Sequence, residues 1–233
     1  MENIKKPLLF NASCMALVVT ALTFATRAGM IEPWRAEFNL NGEQVGWIVG
    51  TAFWGFTLAM ILIGPIVDLI GMKRVIYIAF TGHVAGILLT IFAGGFWSLF
   101  FSTLLIGIAN GSVEAAANPL ITAMYPEDKT RKLNQFHVWF PGGIVIGGLM
   151  VFGLEALGYG WRLQMAAMLI PTLAYGLMFL RPSLPVTERV SAGFSYKDML
   201  KACVSPLFHF MAACMILTAA TELGSNQWMT ALL

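Results

Sequence analysis

Seven apolar blocks recur along this chain, near residues 8–30, 44–69, 74–95, 97–124, 136–158, 160–180 and 207–233. Each is long enough to cross a hydrocarbon core as a helix, which takes about 20 residues. Backbone polar groups in lipid must be satisfied within the segment or within a closed barrel, and these blocks show no period-two alternation, so helices are required. Composition agrees, with 58% hydrophobic and 11% charged residues, against a usual charged share of about 25%. The expected class is an all-α membrane protein. The first block follows Lys5 and Lys6 and is too long for a leader, with no small-x-small cleavage site before Arg27, so it reads as a retained span.

Of the 14 Lys and Arg residues, eleven fall on the amino-terminal side of the expected spans: Lys5, Lys6, Lys73, Arg74, Lys129, Arg131, Lys132, Arg181, Arg189, Lys197 and Lys201. Arg27, Arg35 and Arg162 fall on or near the other side. The positive-inside rule then puts the amino terminus in the cytoplasm and the protein in the cell membrane. The net charge of +2 is a topology signal, and no basic soluble face offers a nucleic-acid footprint. Cys14, Cys203 and Cys214 are unevenly spaced, which suggests small buried side chains and neither a disulfide framework nor a metal site. Gly142, Gly143, Gly147 and Gly148, behind Pro141, suggest close helix contact and a kink. They lack the Lys-Ser/Thr ending of a phosphate loop, and no cofactor is expected.

The long polar stretch 181–206 separates a six-helix bundle, residues 1–180, from a further helix, residues 207–233. Leu22-Thr-Phe-Ala-Thr-Arg27-Ala-Gly29 aligns with Leu217-Thr-Ala-Ala-Thr-Glu222-Leu-Gly224 at an offset of 195 residues, with five of eight positions identical. A match between a first and a seventh helix is expected of two parallel six-helix halves. The expectation is seven transmembrane helices of twelve, in a protein of roughly 390 residues, with the remaining carboxy-terminal helices as partners.

Within the uncharged stretch from Trp97 to Met124 stands a single Glu114. A charge at mid-membrane costs roughly 2.5 to 3.5 kcal/mol, so such a residue usually faces a cavity and a partner. Asn110, Glu114 and Asn118 share a helical face at four-residue spacing, and Gly107, Gly111 and Ala115 form a small-residue stripe beside it. One side is expected to pack and the other to line a wet cavity. The repeat sets Arg27 and Glu222 on facing walls, which gives an expected network of Arg27, Glu222 and Glu114. His137 can bond a solute or shuttle protons. Gln227 and Trp228 near the outer end of the seventh segment offer an amide and an aromatic face of the kind that holds sugars, as do Trp54 and Trp139. His83 and His209 lie outside any recognisable polar stripe.

Gly64-Pro-Ile-Val-Asp68-Leu-Ile-Gly71-Met-Lys73-Arg74 stands between the second and third segments. It resembles the signature loop of the major facilitator superfamily, with Gly64, Asp68, Gly71, Lys73 and Arg74 matching and Leu69 replacing a basic residue. Gly64 suits a close helix neighbour, Gly71 a tight turn, and Asp68 a helix cap or a cation. The resemblance implies a helical bundle of that type and a conformational latch closed by a helix of the second half.

Glu114-Ala-Ala-Ala-Asn118-Pro119, Leu133-Asn134, Gly143 and Gly147 resemble the fucose:proton symporter branch of that superfamily. The resemblance gives Glu114 a part in proton coupling and sugar binding. His137 replaces a glutamine of that branch, Phe140 replaces a sugar-binding asparagine, and Gly29 falls nearest its first-helix aspartate. The leading expectation is a secondary active transporter that moves a small polar solute, such as a sugar, with a proton or sodium ion. Two other classes stay open: an intramembrane enzyme, for which no catalytic motif stands in the sequence, and a non-transporting sensor or half-unit assembly protein.

Overall fold

The computed structural model describes residues 4–193, 195, 197, 201 and 203–221. Among these residues ten helices run in order: α1 Lys6–Phe38, α2 Gly42–Ile70, α3 Met72–Ile91, α4 Phe96–Met124, α5 Lys129–His137, α6 Trp139–Ala156, α7 Trp161–Ala167, α8 Leu169–Leu180, α9 Glu188–Ser191 and α10 Pro206–Ala219. Pairing α5 with α6 and α7 with α8 gives, among the described residues, six spans long and apolar enough to cross a membrane. They overlap the first six expected blocks, with α1 running on to Phe38 and the fifth span starting at Lys129. Only the first part of the seventh is described, as the 14-residue α10; residues 222–233 lie outside the described residues.

The local signals explain the boundaries. Asn39 ends α1 in the left-handed region (φ 50°), and Asn41 caps α2 by a reciprocal pair with Gln44, at 2.8 and 3.0 Å. Gly71 (φ 85°) turns α2 into α3 in one residue. Both mid-span breaks have one cause. Val138 and Met168 interrupt their spans three residues before Pro141 and Pro171. Proline has no N–H to give the carbonyl four residues earlier, which is His137 in one case and Ala167 in the other, and the helix reopens there. A break in the helix therefore stands three residues before Pro141, where the kink is expected.

Helix α4 lies between α2 and α3, α1 packs against α6 and α8, and α1 and α4 meet in the middle. Glycine makes the tightest contacts possible. A Cβ on Gly107 would stand 2.5 Å from the Ala52 carbonyl oxygen, and one on Gly111 would stand 2.5 Å from that of Phe56. Gly143 and Gly147 meet Ala21 and Ala25 of α1 in the same way, at 2.6 and 2.7 Å, whereas Gly142, Gly148 and Gly64 face nothing within 4 Å among the described residues. Two of the four glycines of α6 thus bring it onto α1, and the close neighbour expected at Gly64 is not among the described residues. Gly111→Val should destabilise the protein by about 2 kcal/mol through overpacking, while Gly148→Val should leave thermal unfolding of the detergent-solubilised protein unchanged.

Cys14 is buried as expected, but Cys203 and Cys214 are exposed, because α10 and the stretch before it bury nothing among the described residues. At the end of the bundle opposite Lys5, Arg162 of α7 clamps Glu37 of α1 through both carboxylate oxygens, at 2.7 and 3.0 Å, and the Trp161 indole donates to the same carboxylate at 2.7 Å.

Candidate functional site

The polar stripe of α4 divides between two networks. Four residues advance an α-helix by about 400°, so each member of the stripe is turned by about 40° from the last, and Asn110 and Asn118 point roughly 80° apart. Asn118 points toward α5 and Asn110 toward α3 and α1.

On the α5 side, the Asn118 amide donates to the Glu114 carboxylate at 2.7 Å and to the Glu114 carbonyl at 3.1 Å. Its amide oxygen, so oriented, accepts from His137 Nε2 at 3.0 Å. The amide thereby sets the histidine tautomer, with the proton on Nε2 and Nδ1 left as the basic nitrogen. Glu114 and Asn118 are half-buried and His137 is exposed, so the chain of bonds runs from the bundle interior to its surface. It joins a carboxylate and an imidazole through one amide, which suits proton exchange and binding of hydroxyl groups. Trp139, two residues beyond His137, is exposed.

On the other side, Asn110 is fully buried. His83 of α3 donates from Nε2 to its amide oxygen at 2.8 Å, and its amide nitrogen donates to Thr23 of α1 at 2.9 Å. Tyr175 of α8 donates to His83 Nδ1 at 2.9 Å, and Thr23 donates on to the Thr20 carbonyl at 2.7 Å. A neutral imidazole satisfies every partner in this directed chain, which ties four helices together. This is structural glue, not cavity wall, and it corrects the expectation that Asn110 lines a wet face. His83, set aside on sequence grounds, is its centre; its place as a titratable residue in the middle of an apolar span was the available signal. His83→Leu should destabilise by about 2 kcal/mol or more, since it leaves the Tyr175 hydroxyl and the Asn110 carbonyl buried without partners. Thermal unfolding against His83→Gln would measure it.

The Thr23–Asn110 bond also fixes a register. The connections 39–41, 71 and 92–95 are too short to recross a bilayer, so α1 and α4 run antiparallel. Arg27 and Glu114 each lie four residues beyond that bond in opposite directions. At 1.5 Å per residue they stand about 12 Å apart along the membrane normal. Arg27 is 3% exposed, with its guanidinium 4.8 Å from the Phe24 ring and 5.8 Å from Phe53. Glu222, Gln227 and Trp228 lie outside the described residues. Trp54, an expected aromatic face, is edge-on to Trp47 at 5.2 Å.

At the Lys5 end of the bundle, Asp68 accepts from the Thr187 hydroxyl and pairs with Arg189 Nε at 2.5 Å. Its side chain is only 6% exposed. Between those two residues, Glu188 pairs with Lys129 at 2.6 Å. The linker helix α9 therefore supplies a cation for Asp68. Lys73 donates to the Leu180 and Pro182 carbonyls at 3.2 and 3.0 Å, and Arg74 to the Ile70 carbonyl at 3.3 Å.

Comparisons with known proteins point one way. The chain is 26% identical over 145 residues to a D-xylose transporter of Levilactobacillus brevis, covering 62% of this chain and 31% of that protein. It is 27% identical over 173 residues to a protein of Arabidopsis thaliana named probable anion transporter 6, chloroplastic, covering 73% of this chain and 31% of that protein. The chain thus spans less than a third of the length of these two relatives. A crystal structure of a D-xylose-proton symporter superposes with a TM-score of 0.66 at 14% identity, over 90% of this chain and 55% of that one. That likeness establishes the fold, and the sequence profile of the Major Facilitator Superfamily matches residues 9–232. With its six apolar spans and this profile, the chain is an integral membrane protein that belongs to the Major Facilitator Superfamily.

Proposed function

We propose that the chain forms part of a secondary active transporter that moves a small polar solute by alternating access, with the Glu114–Asn118–His137 constellation as the coupling and binding site. The observation that carries this reading is the hydrogen-bonded path from a half-buried carboxylate to an exposed imidazole. A sugar is the favoured solute, supported by the resemblance of the Glu114–Pro119 run to a sugar symporter branch and by the D-xylose relatives. A proton is the favoured coupling ion, since a carboxylate and an imidazole share the site. Arg27, Glu222, Gln227 and Trp228 are proposed as further solute contacts.

The test is uptake of D-xylose and a panel of monosaccharides by the full-length protein in sealed vesicles. Accumulation that collapses with a protonophore supports the proposal. Accumulation that collapses only when a sodium gradient is dissipated moves the coupling ion to sodium. Solute bound without movement, or converted in detergent without a gradient, replaces transport with a sensor or an enzyme.

A further inference from the structure

At the Lys5 end of the bundle, the starts of α1 and α3 and the end of α8 enclose an open groove of about 710 Å³. Its polar rim carries Lys5, Lys73 and Arg181, and its floor is Leu8, Leu177 and Met178. Among the described residues, no acidic one lines it. Lys73 is held by the Leu180 and Pro182 carbonyls, where it offsets the negative end of α8, so the net positive field of the groove comes from Lys5 and Arg181. Both are exposed. Leu177 is 66% exposed and belongs to the span Trp161–Leu180, so the apolar floor includes an exposed residue of a membrane span.

A groove that is cationic at the membrane surface and apolar where it opens sideways matches one kind of molecule, an amphiphile with an anionic head. Basic pockets between transmembrane helices at a membrane face hold phosphate headgroups for this reason. A soluble anion would use the rim and leave the floor unmatched. We infer that the groove bounded by Lys5, Lys73 and Arg181 binds an anionic phospholipid, with the headgroup phosphate on Lys5 and Arg181 and an acyl chain along Leu8, Leu177 and Met178. Such a lipid would bridge the ends of α1 and α8 with the first turn of α3, beside the last turn of α2, which carries Asp68. The inference is independent of what the protein transports.

The experiment uses the full-length protein in phosphatidylcholine nanodiscs, with phosphatidylglycerol labelled on its acyl chain as the probe and energy transfer from protein tryptophan as the readout. Phosphatidylglycerol should bind in preference to labelled phosphatidylcholine. Lys5→Gln and Arg181→Gln should each weaken it by about fivefold, and the double variant should abolish the preference. The charge-preserving pair Lys5→Arg and Arg181→Lys should retain it, which separates loss of charge from loss of fold. Equal binding of the two lipids, or an undiminished preference in the double variant, would overturn the assignment. Displacement of the probe by millimolar inorganic phosphate would also overturn it, in favour of a soluble-anion site.

Discussion

Glu114→Gln is expected to abolish ion-driven accumulation of solute while leaving solute exchange across the membrane largely intact. The glutamine side chain has nearly the shape of the carboxylate and keeps an oxygen to accept from Asn118, now 2.7 Å away. In the proposed coupling role, what it loses is the capacity to take up a proton on one face of the membrane and release it on the other. A pH gradient of one unit stores about 1.36 kcal/mol per proton, which supports roughly tenfold accumulation at one proton per solute. The variant should fall to a ratio of about one. Counterflow of labelled solute in the same vesicles should persist, because it needs no net proton movement. Concentrative uptake that survives the substitution would remove Glu114 from coupling. A variant that loses exchange as well would make Glu114 a binding residue first.

The spans could be read from sequence because the bilayer imposes length and apolarity on each of them separately, and Pro141 marked one break for the same local reason that Pro171 marks the other. What sequence left open depends on partners. Gly142, Gly143, Gly147 and Gly148 look alike in a string, yet only Gly143 and Gly147 face Ala21 and Ala25. Asn110 and Asn118 share a stripe, yet the drift of the helix turns one into a buried tie to His83 and the other toward His137. Arg27 and Glu114 were joined by chemistry alone, and a single hydrogen bond between Thr23 and Asn110 sets them at different depths. Periodicity gives the face of a helix, but which helix that face meets, and at what height, comes from tertiary contacts that no local pattern encodes.

The same distinction governs Asp68. Its loop was legible as a motif, but its partner is the linker, where Thr187 and Arg189 flank a glutamate that reaches Lys129 at the start of α5. Three short-range contacts thereby fasten α9 across the ends of α2 and α5. Asp68→Asn leaves the Arg189 guanidinium partly buried beside a neutral amide. Breaking a fully buried pair costs about 3–5 kcal/mol; with Arg189 18% and Asp68 6% exposed, about 2 kcal/mol is expected here. If α9 is a latch, that loss falls only on the latched state and shifts the balance against it by roughly thirtyfold. The expected result is a longer and broader distance distribution between spin labels at Thr130 and Val190 in the full-length protein, together with slower transport. Arg189→Gln should reproduce both effects. The double variant should add little to either single one, since each removes the same interaction. A Thr130–Val190 distance unchanged in Asp68→Asn would mean that α9 rests on the bundle without latching it.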